Sequence, residues 1–370
     1  MKVHFFSPYI QLAPNRTVKE LFSDCGNNVG NLLFINAAYK QIKFTEATFG
    51  YILDAAKINA EYDLVVIPAA NWVNSGLDLG GFYEQLKNIK IKVIVLGIGA
   101  QSGDKSAIPS LPRGSRLFLD FVSENSSFIS TRGKFTTEVL NYYGYNNCVT
   151  TGCPSIFLNC SPEPQRMDNT FTYDNDRVVL QGTRHNIPNH DFYQSGQHAR
   201  HRQFIRYALT GNYEYIIQSE LEEIYYSLGR LNNQEILKKV NESLEKYYEK
   251  PINSGLGDYL SRKHHFFYSI EEWKSFLQTQ SLVVTTRIHG AIMALHSSTP
   301  GILLWHDSRT QEIADHAALP NMSFEEYDLL KGPDQVIEKI NYDAYSARYP
   351  IIYEIYKRFL ESNRIPHNLN

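Results

Sequence analysis

The feature that most constrains this chain is a pair of patterns that keeps recurring: a short β-branched run ending in turn residues, then a stretch of helical periodicity. Asp63–Pro68 (DLVVIP) and Lys92–Gly97 (KVIVLG) are apolar almost throughout, as strands of a parallel sheet buried on both faces are. Met1–Ser7 and Ser127–Thr131 read as further strands, with helices expected over 31–41, 47–58, 118–125 and 134–143. A second series follows the polar segment Cys160–Asn175, which holds two prolines and no periodicity. Its strands are expected at 177–181, 213–218, 281–286 and 302–305, and its helices at 198–210 and 220–249, the latter broken near Asn232. Ser269-x-x-Glu272 and Ser323-x-x-Glu326 read as capping boxes, and 351–362 carries one apolar stripe. Strand-helix alternation of this kind specifies doubly wound α/β architecture. A length of 370 residues accommodates two such domains. The expected division is an N-terminal Rossmann-like domain over 1–165 and a C-terminal one over 166–345, with a terminal helix in 346–370.

Charge and composition exclude several function classes. With 36 Lys plus Arg against 39 Asp plus Glu, the formal net charge of −3 provides no global field for nucleic acid, so any anion site must be local. Cys25, Cys148, Cys153 and Cys160 make no zinc pattern, and a reducing cytoplasmic compartment is the simplest expectation. Neither a signal peptide nor a membrane-spanning segment is expected. The aromatic share of 13%, with 25 Tyr and 20 Phe, suits a plain core and also suits a surface that meets sugars.

Ligands of open α/β sheets sit beyond the carboxyl ends of strands, and there the sequence places its most distinctive residues. Thr285-Thr286-Arg287-Ile288-His289-Gly290 joins a strand to a helix. Arg287 and the free helix N–H groups could hold phosphate or carboxylate, with His289 beside the anion to move a proton. The structural alternative is that Arg287 pairs with a carboxylate and His289 caps the helix. Arg184 follows the 177–181 strand and could act as a second clamp, or could be a solvated loop residue. The run His306-Asp307-Ser308-Arg309-Thr310 could line a cleft or simply cap a helix at Ser308 or Asp307. In the first domain, Gly26–Asn31 and Gly97–Gly99 complete no dinucleotide or P-loop fingerprint, while Asn28 and Asn71 could hydrogen-bond a polyol acceptor. His185, His190, His198 and His201 crowd one segment, but only His198 and His201 have ligand spacing, so no metal is expected. His264-His265, beside Arg262 and Lys263, reads as an exposed basic turn.

The segment TTRIHGAIMALHSSTPGILLWHDSRTQEIADHAALP resembles the C-terminal signature of the polysaccharide pyruvyl transferase family. GNNVGNLLFINAA, STRGKFTTEVLNYYG and VTTGCPSIFL resemble three further stretches of that family, so that the likeness runs from about residue 20 to 320. The resemblance implies a fold like that of B-type glycosyltransferases, with two Rossmann-like halves and a terminal helix that crosses back to the first. It implies transfer of the pyruvyl group of phosphoenolpyruvate onto a sugar of a surface polysaccharide, such as a capsule or exopolysaccharide, or onto its lipid-linked precursor. A lipid-linked acceptor would bring the chain to the inner face of the membrane as a peripheral protein. The implied donor residues are Arg184, Arg287, Gly290, Ser308, Arg309 and Thr310, with His289 and Arg287 catalytic. Asn28, Asn31 and Asn71 fall on the acceptor side. No metal, nucleotide or redox cofactor is implied. The chain departs from the family pattern at Asn31, where an acidic residue is usual, and at Ala69-Ala70, where the family has two glycines. The competing expectations are a nucleotide-sugar-dependent glycosyltransferase of the same fold and a non-catalytic glycan-binding subunit.

Overall fold

The computed structural model describes residues 1–102, 107–183 and 196–370, with side chains from 199 onward in the last segment. Two parallel sheets organise it. The first contains β1 (Lys2–Phe5), β2 (Glu46–Phe49), β3 (Leu64–Pro68) and β4 (Lys92–Leu96) in the order β2-β1-β3-β4. Ile98 then bridges in parallel to Thr131, which carries the sheet on into β5 (Ile129–Thr131) and its partner β6 (Cys148–Thr150). The second sheet is six-stranded: β7 (Val178–Gln181), β8 (Glu214–Ile216), β9 (His264–His265), β10 (Leu282–Thr285), β11 (Gly301–Trp305) and β12 (Asn321–Ser323) lie in the order β12-β11-β10-β7-β8-β9. From β7 the chain winds outward through β8 and β9, then returns to the other side of β7 to build β10, β11 and β12. The direction of winding therefore reverses between β7 and β10, and in the first sheet between β1 and β3. These are the places where an open α/β sheet leaves a crevice.

The runs that read as doubly buried strands are so: every residue of Leu64–Pro68, Val178–Gln181 and Leu282–Thr285 is buried. Three expectations are corrected. Residues 47–58 are not one helix, because Glu46–Phe49 is the edge strand β2 and a helix begins only at Ala55, where Asp54 accepts from Ala56 N and Lys57 N. As an edge strand β2 is partly exposed, which gave its residues a mixed pattern that a helix shares. Ser323 opens no helix: it is the last residue of β12, and its hydroxyl accepts from Glu325 N in a turn. His264-His265 is no exposed turn but strand β9, with His264 buried against Tyr215 and His265 bonded to Glu214.

The terminal α-helix, Asp343–Ser362, starts earlier than its apolar stripe suggested and runs through Pro350. Its buried row of Tyr345, Tyr349, Tyr353 and Tyr356 faces the segment that joins the two sheets. Tyr349 and Tyr353 donate to the carbonyls of Ser161 and Cys160. Tyr356 donates to Gln41 Oε1 at 2.7 Å, and Gln41 Nε2 in turn donates to the carbonyls of Pro154 and Phe157. The helix is thus tied to the first half of the molecule by hydroxyls that burial obliges to find partners. Much of the tyrosine excess is core. Among the described residues, no helix is long and apolar enough to cross a membrane.

Candidate active site

A cavity of about 250 Å³ lies where the two halves meet. The second half supplies Thr183 beyond β7, Gln218 and Ser219 beyond β8, Thr286 to His289 beyond β10, and His306, Arg309 and Thr310 beyond β11. The first half supplies Asn28, Asn31 and Phe34 from the start of helix Asn31–Gln41, Ala70 and Asn71 beyond β3, and Arg132 beyond β5. Neither helix Asn31–Gln41 nor helix Ile288–His296 has a side-chain cap at its N-terminus. In the first of them the N–H groups of Asn31, Leu32 and Leu33 are taken by the carbonyls of Asn28, Val29 and Gly30, and in the second Gly290 N and Ala291 N donate to Arg287 O, so that what each start offers the cavity is the positive end of its dipole.

Three arginines line the cavity, each held differently. Arg287 donates from Nε to Gly182 O at 3.1 Å and from its terminal nitrogen to Ser219 Oγ and the buried Glu220 carboxylate. The structural pairing considered for Arg287 exists, and it holds the guanidinium in the wall of the cavity. Arg309 pairs with Asp307, Nε to Oδ2 at 2.6 Å. Burial alone would raise the Asp307 carboxyl, but Arg309 overrides it and keeps the group well below the usual carboxylate range. Arg132 is 3% exposed, and its partners are neutral oxygens: Gly97 O at 2.7 Å, Ala69 O at 2.6 Å and Asn71 Oδ1 at 3.4 Å. Its guanidinium lies over the Phe34 ring at 5.3 Å. Among the described residues no carboxylate forms an ion pair with it. Burial works against its charge and lowers its pKa, opposed but not overridden by the more distant Glu312 carboxylate, and a buried cation without a direct ion pair costs several kcal/mol. A cavity walled by such a cation is built for an anion.

His289 is 6% exposed and turns Nε2 toward Cys153 Sγ at 3.7 Å. Burial, then the charges of Arg132 and Arg287, depress its pKa to about 3. The imidazole is neutral in the ligand-free site, so the protonated His289 that the sequence suggested requires incoming negative charge. His306 is likewise held down to about 4, chiefly by burial.

The structure brings Arg287, His289, Arg309, Thr310, Asn28, Asn31 and Asn71 to one cavity. Asn28 Oδ1 accepts from Gly30 N at 2.9 Å, and Asn31 Nδ2 donates to Cys25 O at 3.0 Å, which fixes both side chains. Gly290 lies behind the cavity wall, where a Cβ would meet Gln181 Oε1 at 1.8 Å; its part is to let the helix pack on the sheet. Ser308 is not in this cavity. Its buried hydroxyl faces a separate hollow with Lys134, His316 and Arg348, because Asp307 and not Ser308 is the N-cap residue. Arg184, His185 and His190 lie outside the described residues, as does the side chain of His198; His201 packs edge-on against His306 at 4.7 Å. Arg132, Gln218 and Cys153 were not singled out from sequence. Arg132 had a signal, since Thr131-Arg132-Gly133 joins a strand to a helix much as Thr286-Arg287 does.

Glu312, in the same separate hollow as Ser308, ties the two halves together. Its carboxylate accepts from Thr136 N at 3.0 Å and Thr136 Oγ1 at 2.7 Å, capping helix Lys134–Tyr142 of the opposite half, which lacks a cap of its own. Gly133 is required, because a Cβ there would lie 2.6 Å from Glu312. Burial raises the Glu312 pKa to about 7 against the pull of the Thr136 bonds. A folded-state pKa raised from 4.5 contributes stability that is complete below pH 4.5 and lost as pH rises to about 7. From pH 5 to 8 the unfolding free energy of the native chain, read from denaturant titrations, should therefore fall by on the order of 2–3 kcal/mol relative to Glu312→Gln. Parallel profiles would remove Glu312 as the titrating cap.

Two Rossmann-like halves facing each other across a cationic crevice, with a terminal helix returning to the first half, define the architecture of the B-type glycosyltransferases and their relatives. Within that class, the profile of one family, described as polysaccharide pyruvyl transferase, matches residues 8–308. The chain belongs to the polysaccharide pyruvyl transferase family. Among solved structures it is similar to UDP-N-acetylglucosamine 2-epimerase from Rickettsia bellii, with 12% identity, TM-score 0.48, and coverage of 98% of this chain and 95% of that one. It is also similar to UDP-GlcNAc 2-epimerase of Methanocaldococcus jannaschii, with 11% identity, TM-score 0.43, and coverage of 97% and 100%. Anabaena Alr3699/HepE, solved with UDP and glucose, is similar at 11% identity and TM-score 0.40, covering 98% of this chain and 99% of that one. No curated protein sequence matches.

Proposed function

We propose that this chain transfers the pyruvyl group of phosphoenolpyruvate to two hydroxyls of a sugar, forming a ketal and releasing phosphate. The observation that carries the reading is Arg132, a buried cation bonded only to neutral oxygens, facing Arg287 and Arg309 across the cavity. A donor with a phosphate and a carboxylate brings about three negative charges at pH 7.5, and the arginines that meet it are drawn from both halves, with Arg132 the one that holds no direct ion pair among the described residues. Glu220 and Asp307 hold Arg287 and Arg309 in place.

The chemistry follows from charge. The donor anion offsets the field of Arg132 and Arg287 that keeps His289 neutral, so His289 takes up a proton as the donor binds. It gives that proton to the donor's methylene carbon, and a sugar hydroxyl adds to the resulting cationic carbon and returns its proton to His289. The bond from that carbon to the phosphate oxygen breaks as the second hydroxyl closes the ring, and the second hydroxyl's proton leaves with phosphate. The arginines stabilise the departing charge. The acceptor is a sugar of a surface polysaccharide or of its lipid-linked precursor, which would be met at the inner face of the membrane.

Ligand-dependent melting tests the donor without knowledge of the acceptor. Phosphoenolpyruvate at 100 times its Kd should stabilise the chain by about 2.7 kcal/mol, while UDP- and GDP-sugars leave the transition unmoved. The reverse pattern would transfer the chain to nucleotide-sugar chemistry.

A further inference from the structure

A second hollow, of about 610 Å³, opens beyond the carboxyl ends of β1 and β2, lined by Tyr9, Gln11, Arg16, Asp24, Phe49 and Tyr51 among others. Tyr9 is 59% and Tyr51 47% exposed, and Ile52 beside it 82%. Large apolar side chains left open together mark a contact surface rather than a scattered residue. Both rings are braced from behind: Tyr9 packs edge-to-face on Phe49 at 5.0 Å, Tyr51 on Phe6 at 5.5 Å, and Phe6 stacks on Phe82 at 4.3 Å. The rim is polar, with Asp24 and Arg16 paired at 3.1 Å and both part-exposed.

The hollow adjoins the arginine-lined cavity. Gly26 is the divider: a Cβ on it would lie 3.1 Å from Asn31 Nδ2 and 3.4 Å from Tyr51 Oη, and Asn31 lines the cavity on the other side. A ligand spanning the two would set one end against the arginines and the rest on the tyrosines.

We infer that the Tyr9–Tyr51 hollow is the acceptor subsite and takes the pyranose rings of a glycan, an inference that rests on the donor reading above for what happens at the neighbouring cavity. A pyranose offers a C–H face to aromatic rings and hydroxyls at its edge, and the hollow pairs braced tyrosines with Gln11, Ser23 and Asp24. An anionic lipid surface would find Arg16 already held by Asp24 and Glu20, and an apolar peptide would leave that polar group unused. The volume falls within the ~300–1,000 Å³ of small-ligand sites, enough for more than a single ring.

Saturation-transfer NMR on the full chain, with methyl β-galactoside, methyl β-glucoside and N-acetylmannosamine as probes and no donor present, tests this. At least one probe should bind. Tyr9→Ala and Tyr51→Ala should each weaken that binding at least tenfold, Tyr9→Trp should retain it, and all three variants should melt as the native chain does with phosphoenolpyruvate. Unchanged sugar binding in both alanine variants, or no binding of any probe to the native chain, would overturn the subsite. If sugar binding behaves as expected but phosphoenolpyruvate fails to stabilise the native chain, the donor reading falls and the subsite stands.

Discussion

Replacing Arg132 by Met should lower the affinity for phosphoenolpyruvate by at least 100-fold and remove the donor-induced rise in melting temperature, while leaving the unliganded fold within about 2 kcal/mol of the native chain. Two terms of opposite sign set the stability. Taking away the guanidinium strands the Gly97 and Ala69 carbonyls, each at a cost of about 1–3 kcal/mol. It also relieves the burial of a cation that has no direct ion pair among the described residues and only the more distant Glu312 carboxylate to offset it, an effective penalty of several kcal/mol. The affinity has no such compensation, because among the described residues Arg132 is the cation that the first half presents to the cavity. Calorimetric titration with phosphoenolpyruvate, beside denaturation of the ligand-free variant, separates the two. If Arg132 only pins Gly97 and Ala69, the variant will lose stability and keep its affinity. Arg132→Lys should fall between, since an ammonium cannot hold three oxygens in one plane and still address a ligand.

His289→Gln should lower turnover by about 10²–10⁴-fold, the range of a lost general acid, and change the proton balance of donor binding. In the empty site burial and the two arginines hold His289 at about 3. Once the donor's charges lie between Arg132 and Arg287, the protonated form is favoured and a proton enters with the ligand. Affinity should therefore tighten as pH falls, and titrations at pH 7.5 in buffers of different ionisation heat should show net proton uptake. At that pH the free donor's phosphate is already dianionic, so the proton cannot come from its own titration. The glutamine variant should take up none. Equal proton counts in the two proteins would mean that His289 stays neutral throughout and does not act as the acid.

How much of this could be read from the chain depended on how local each feature is. The strands around Leu64–Pro68 and Leu282–Thr285 were legible because burial on both faces forces an unbroken apolar run, whereas the edge strand β2 and short β9 and β12 carry no such run. Arg287 and His289 stood out because strand end, arginine and helix start are consecutive there. Arg132 sits in nearly the same local pattern, yet what distinguishes it, the lack of a direct ion pair among the described residues and a place in one cavity wall with Arg287, is created only when the two halves meet. The same holds for Glu312, which caps a helix from 176 positions away along the chain. Ser308 shows the converse: neighbouring Arg309 in sequence placed it in the cavity on paper, but one helical step turns it into a different hollow.

The central claim concerns what is added to the glycan, and the mass of that glycan tests it most directly. Surface polysaccharide, or its lipid-linked precursor, should be taken from cells that carry this chain and from cells in which His289→Gln replaces it. The native material should be heavier by about 70 Da per modified sugar, the mass of pyruvate less one water, and mild acid, which opens ketals, should abolish the difference. Identical masses in the two samples, or a difference equal to a whole sugar residue, would contradict that claim.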